Sequence, residues 1–211
     1  RLLTTIAYRI NGKTTYAMEG SIFIAGAGVQ WLRDRMKFFK KASETEKLVK
    51  SLRDNNNIYL VPAFTGLGAP HWDANARGVL TGITRDTGPK EIVRATIEAV
   101  AYQTYDLFEA MKHDGLRPKI VKVDGGMVMN NWFSQFLSDI VNVKVLRPKV
   151  QETTAVGAAF MAGLQIGVYK SLKDISKIWH LDRKFSPNMN NKSRSNLLDG
   201  WSKAIKKTLT N

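Results

Sequence analysis

A short β-branched run, Ile120-Val121-Lys122-Val123, ends in Asp124-Gly125-Gly126, and two asparagines then open a segment with helical periodicity. A strand that turns through two bare residues into a helix constrains the fold more than any other stretch. It sets backbone amides and a helix start at the carboxyl edge of a sheet, where open α/β sheets bind ligands. Missing side chains at Gly125 and Gly126 would let a flat ring or a phosphate lie against the main chain, with Asn130 in reach of its edge. The competing reading is a tight turn that needs only positive φ.

The rest of the chain alternates in the same manner. Residues 3–10 and 14–19 read as two strands joined at Asn11-Gly12, a strong two-residue hairpin signal. A helix is expected over 21–40, interrupted early by Gly26 and Gly28, and a second over 44–53. Residues 58–61 and 78–83 read as strands around a Gly/Pro-rich loop that carries Phe64 and Trp72, both expected to be buried. Pro89 suits the first turn of a long core helix, with Ile97, Val100, Ala101, Thr104, Leu107, Phe108 and Met111 along one face. The strand 119–123, the Gly-Gly turn, a helix over 130–140 and a strand over 143–147 follow. A helix of small residues runs from Ala155 to Gly163 and invites close approach of a neighbour, with Gly167 as its stop. The tail, residues 187–211, reads as a polar loop and a terminal helix from Ser195 to Leu209. A leading strand set followed by alternating strands and helices predicts one α/β domain with a mixed sheet flanked by helices.

Gly26 and Gln30 lie four apart and share a helix face. They form a second bare patch with a hydrogen-bonding neighbour, the arrangement wanted on the far side of a nucleotide. The alternative is close helix packing with Gln30 exposed.

Composition limits the function classes. There is no cysteine, and the three histidines lack metal-ligand spacing, so neither a thiolate site nor a histidine cluster is expected. The net charge of +14 divides as +6, −1 and +9 over residues 1–70, 71–140 and 141–211. The basic excess avoids the Gly-Gly turn, and a nucleic-acid partner is not expected. No apolar run has the length of a membrane span, and no signal-peptide pattern opens the chain. The expected compartment is the cytoplasm. No GxxxxGK[ST] loop, GxGxxG fingerprint or nucleophile elbow is present. Asp73, Asp86 and Asp124 are candidate bases, each equally a turn or cap residue.

The stretches EGSIFIAGAGVQWLRD, VPAFTGLGAPHWDANARGVLTGITRDT, IVRATIEAVAYQTYDLFEAM, VDGGMVMNNWFSQFLSDI and QETTAVGAAFMAGL, in this order, resemble the carboxyl-terminal domain of the FGGY carbohydrate kinases. Gly78-x-Leu80-x-Gly82-Ile83, continuing through Glu91-Ile92 to Glu98, is similar to the family's second signature. The form of the 62–70 loop resembles the branch that phosphorylates glycerol. The resemblance implies a ribonuclease-H-like domain of the actin and chaperone-ATPase kind, paired in the complete enzyme with a second such domain around ATP, magnesium and glycerol. It implies nucleotide contacts at Gly26, Gln30, Gly126 and Asn130, with Gly125 beside them. It also implies that the glycerol site, the base and the phosphate loops, including a Gly-Thr-Gly hairpin, precede Arg1. The chain thus reads as a fragment that holds ATP or ADP and is inactive alone, with no catalytic and no metal residue of its own. A homo-oligomer is expected for the complete enzyme. Another polyol or sugar kinase of the family, or a non-catalytic module of the same fold, is the alternative.

Overall fold

The structure, a computed structural model, describes residues 2–210. Strands β1 (Leu3–Ile10) and β2 (Lys13–Glu19) form an antiparallel hairpin. Asn11 and Gly12 supply the positive φ, 50° and 77°, that both positions of a two-residue turn require.

The first helix, α1 (Gly26–Asp34), is shorter at both ends than the apolar periodicity suggests. Gly26 becomes its first residue, where glycine costs little. Gly28 lies inside it, and a methyl there would stand 2.9 Å from Thr96 Cγ2. The two glycines thus have different causes, an open space and a close helix crossing. Helix α2 (Glu44–Lys50) is also shorter than expected and leads to β3 (Tyr59–Val61), which pairs antiparallel with β4 (Val79–Thr81).

Helix α3 (Pro89–His113) is the spine of the core. Its start is fixed by Pro89 and by Glu91, whose Oε2 accepts the Gly88 N–H at 2.9 Å. Buried within it, Glu98 accepts from Arg94 Nε at 2.7 Å and from the Tyr102 hydroxyl at 2.9 Å. Arg94 also donates to the Leu52 carbonyl and lies over the Trp132 ring.

Strand β5 (Ile120–Lys122) leads through the Gly-Gly turn to a 3-10 helix, Gly126–Met129, that periodicity did not suggest, and then to α4 (Asn131–Val141). Next come β6 (Lys144–Pro148), α5 (Thr153–Gln165), α6 (Leu172–Ile178), β7 (Leu181–Phe185) and α7 (Asn191–Thr208). β6 runs parallel to β5 and antiparallel to β7, so this three-stranded sheet is mixed. The described strands fall into three separate sheets rather than one.

One apolar core joins α1, α3, α4 and α7. Tyr102 stacks on Trp201 at 5.2 Å and meets Phe136 edge-on at 5.6 Å. Gly200 lets α7 cross directly over the Tyr59 ring, which a methyl there would overlap. The terminal helix begins before Ser195 because Asn190 caps it, accepting the Ser193 N–H at 2.8 Å.

Two packing expectations are corrected. Trp72 is 44% exposed, whereas Phe64 is half-buried against Trp31 with ring centroids 4.9 Å apart. The small-residue helix α5 is largely exposed, and a methyl at Gly157 would meet nothing within 4 Å.

Candidate functional site

A cavity of about 430 Å³ opens between α1, α2 and the start of α4. Gly26, Val29, Gln30 and Arg33 form one wall, at i, i+3, i+4 and i+7 along α1. Gly126, Met127, Met129 and Asn130 form the facing wall, and Ile97 of α3 with Ala42, Ser43, Thr45 and Glu46 complete it. The structure therefore brings Gly26, Gln30, Gly126 and Asn130 together across a hundred residues of chain.

Gly26 and Gly126 have no heavy atom within 4 Å of where a Cβ would sit, so both present bare backbone. Gly125 is not among the lining residues. Its φ of 82° belongs to the left-handed region, and its N–H donates to the Gln151 carbonyl at 3.3 Å. The two glycines of the turn divide the two readings between them: Gly125 bends the chain and Gly126 leaves space.

Asn130 is the N-cap of α4, its Oδ1 accepting the Phe133 N–H at 3.0 Å while its Nδ2 donates to Thr45 Oγ1 at 3.3 Å. Thr45 donates in turn to the Ala42 carbonyl at 2.7 Å. The Gln30 amide and the Ser43 hydroxyl make no hydrogen bond within the described residues and remain available to a ligand. Glu46 also lines the cavity. Its Oε2 accepts the Asn131 N–H at 3.3 Å and its Oε1 accepts Lys50 Nζ at 2.5 Å. Burial pushes this carboxyl up, but Lys50 and the Asn131 and Trp132 amides outweigh it and hold the group below the usual glutamate range.

The candidate bases do not converge here. Asp73 is buried and accepts from Asn75, Ala76 and Thr210, so it is a structural clasp. Asp86 and Asp124 are exposed and do not line the cavity. Among the described residues no three carboxylates, histidines or cysteines gather to hold a metal, and no helix is long and apolar enough to cross a membrane. A larger groove, about 870 Å³, lies between α3 and α7. It is wide open, and Asp106 within it is already held by Trp201 at 2.8 Å and His71 at 3.3 Å. The smaller, better-walled cavity is the stronger candidate.

The reading of the sequence missed Glu46, Thr45 and Ser43, because nothing in a short polar helix says which face it turns to a distant turn. Val29 and Arg33 were within reach of the heptad spacing from Gly26.

Bare backbone at the start of a helix facing bare backbone at a strand-turn-helix edge, with apolar side chains between, gives this α/β domain a cavity open to a ligand. Residues 3–166 match the model of the FGGY family of carbohydrate kinases, C-terminal domain. The chain belongs to that family. It is 56% identical over 207 residues to glycerol kinase 1 of Pseudomonas aeruginosa, covering 98% of this chain and 42% of the relative. It superposes on the glycerol kinase of Plasmodium falciparum with ADP at a TM-score of 0.88 and 37% identity, covering 100% of this chain and 42% of that one. A xylulose kinase from Rhodospirillum rubrum shares the fold at a TM-score of 0.81 and 20% identity. The fold is thus the ribonuclease-H-like, actin-like one of these kinases. The chain spans about 42% of the length of the curated relatives it matches.

Proposed function

We propose that these residues are the nucleotide-holding part of an ATP-dependent glycerol kinase, which converts ATP and glycerol to ADP and glycerol 3-phosphate. One observation carries the reading: Gly26, Gln30, Gly126 and Asn130 line a single cavity of about 430 Å³. The relatives named above, and the ADP in the Plasmodium enzyme's description, support nucleotide and acceptor. Val29, Ile97, Met127 and Met129 offer apolar faces to a flat base, and Gln30 and Ser43 offer uncommitted polar groups.

Phosphoryl transfer depends on positioning and charge neutralisation more than on covalent help. These residues supply the positioning of the nucleoside. Glu46, the one carboxylate on the cavity wall, is held by Lys50 and Asn131, so we assign the base and the acceptor site to the part of such an enzyme that these residues do not cover. Magnesium is read as a cofactor of the complete enzyme, travelling with ATP and held chiefly by its phosphates. The whole of residues 1–211 is read as one carboxyl-terminal domain of a cytoplasmic, homo-oligomeric enzyme.

Calorimetric titration of ADP into the 211-residue protein, beside a glycerol 3-phosphate assay, tests the proposal. Expected are saturable ADP binding, its loss on Gly126→Val with the melting temperature kept, and no glycerol phosphorylation by these residues alone. Absence of ADP binding, or unchanged binding by Gly126→Val, would sink the nucleotide site. Turnover by these residues alone would relocate the base into them.

A further inference from the structure

The cavity wall formed by Gly126, Met127, Met129 and Asn130 is a four-residue 3-10 helix and the residue that follows it. Such a run has poor internal hydrogen-bond geometry, so its shape depends on what holds it from outside. Val128, which carries one of its closing carbonyls, is buried, and that carbonyl requires a protein donor.

The donor comes from the neighbouring sheet. Arg147 of β6 is buried, and its Nη1 donates to the Val128 carbonyl at 2.8 Å and to Asn131 Oδ1 at 3.2 Å, with the Met129 carbonyl at 3.5 Å. Ser134 Oγ donates to the same Val128 oxygen at 3.0 Å. The other edge of the guanidinium belongs to Asp182 of β7, whose Oδ2 lies 2.7 Å from both Nε and Nη2. One flat group is thus clamped by β7 on one edge and grips the wall with the other. The grip falls where it matters, because the Val128 carbonyl belongs to the peptide that leads into Met129, and Asn131 opens α4.

Taking a guanidinium out of water is costly, and apolar residues of similar volume in place of a buried ion pair are often at least as stable. Stability alone therefore does not account for Arg147. What the guanidinium supplies is geometry: a planar set of donors that meets Asp182 and the wall at once, which the single nitrogen of lysine cannot span. Resting on the nucleotide reading above, we propose that Arg147 is a positioning residue of the nucleotide site. It is not among the residues that line the cavity; it holds the Gly126–Asn131 wall in the shape that admits the ligand, and Asp182 aims it. Without the grip the wall samples other arrangements, and affinity falls with the fraction of molecules that keep the competent one.

The test is ADP titration of the 211-residue protein and of Arg147→Lys, Arg147→Met and Val145→Ala, each with thermal unfolding and with hydrogen exchange of the amides of residues 126–131. Val145, fully buried on the same strand, is the control, since truncating it loosens β6 without removing a hydrogen bond to the wall. Both Arg147 variants are expected to bind ADP about tenfold more weakly, the scale of a lost hydrogen bond to a charged group, and to exchange the 126–131 amides faster. Val145→Ala is expected to melt earlier and to keep its ADP affinity. Arg147→Lys decides the matter should Arg147→Met fail to fold, and failure of both would make Arg147 a folding residue and overturn the inference. Normal ADP affinity in Arg147→Lys would mean that charge alone suffices and overturns it too. So does an equal loss of affinity in Val145→Ala, or weaker binding with unchanged exchange of the wall. If the wild type binds ADP and both Arg147 variants bind it as tightly, the nucleotide reading stands and only the role of Arg147 falls. If the wild type binds no ADP, the nucleotide reading falls and this inference falls with it.

Discussion

Asn130 and Thr45, 85 residues apart in sequence, are joined by a 3.3 Å hydrogen bond from Nδ2 to Oγ1, while the other end of the same amide caps α4. One side chain therefore starts a helix and ties the wall of the cavity to its neighbour. Asn130→Ala loses both functions and should lower stability by about 1 kcal/mol, the usual cost of a lost cap. Asn130→Asp keeps the cap and loses only the donor to Thr45. Urea unfolding paired with ADP titration separates them: both variants should bind ADP more weakly, and only the alanine variant should lose stability. Unchanged affinity in the alanine variant would mean that the tie to Thr45 has no bearing on the ligand.

Two glycines on α1 make opposite predictions. Gly28→Ala pushes a methyl to 2.9 Å from Thr96 Cγ2 and should destabilise by about 1–3 kcal/mol through overpacking. ADP affinity should hardly change. A Cβ at Gly26 meets no heavy atom of another element within 4 Å, so Gly26→Val should leave the melting temperature nearly unmoved while narrowing the cavity and weakening ADP at least tenfold. A Gly26→Val protein that binds ADP normally would show that this bare backbone is not against the ligand.

Glu98 is buried with Arg94 and Tyr102 on it, and burial pushes its carboxyl above the usual glutamate range. A carboxyl raised on folding takes up a proton more readily in the folded state. Its effect on stability is thus unfavourable as pH rises from the ordinary glutamate value through the raised one. Glu98→Gln should flatten that part of the stability profile. Glu98→Ala leaves Arg94 uncompensated and should cost about 3–5 kcal/mol in a denaturant titration at neutral pH. A smaller loss in Glu98→Ala than in Glu98→Gln would contradict the account of the pair.

Asp73 has the reverse sign. The Thr210 backbone N–H, at 2.7 Å, is the main reason that its carboxyl sits below the ordinary value of 3.8. The stability it contributes is complete above that value and is lost as pH falls below it. Melting curves of wild type and Asp73→Asn should differ by a nearly constant amount from pH 6 down to about pH 4 and draw together only as pH falls further. A difference that persists unchanged well below pH 4 would mean that the clasp does not depend on charge.

Much of the architecture was legible because local chemistry decided it. Asn11-Gly12 has one good use between two alternating segments, and Pro89 with Glu91 marks a helix start whatever surrounds it. The cavity was half legible. Gly26, Gln30, Gly126 and Asn130 stand at spacings that expose a bare patch beside an amide, but the α2 side came from tertiary placement alone. The expectation of a buried Trp72 rested on area alone, whereas the residue sits at φ 51° in an irregular loop and is 44% exposed. The crossing of Gly200 over Tyr59 was invisible for a similar reason: a glycine inside a helix reads as a propensity cost until the partner ring is known.

The bond between Asp73 and Thr210 also has a schedule. Its two residues are 137 positions apart, and a ribosome adding about 5–20 residues per second leaves roughly 7–30 s between their syntheses. Through that interval Asp73 has its local partners, Asn75 and Ala76, but not the one that finishes the closure. Helix α3 and the strands on either side of it are made first and can assemble while the nascent chain is still attached. The loop over residues 62–78 can be locked only after α7 and Thr210 have been delivered, so this stitch is set by translation as much as by the folding of the core.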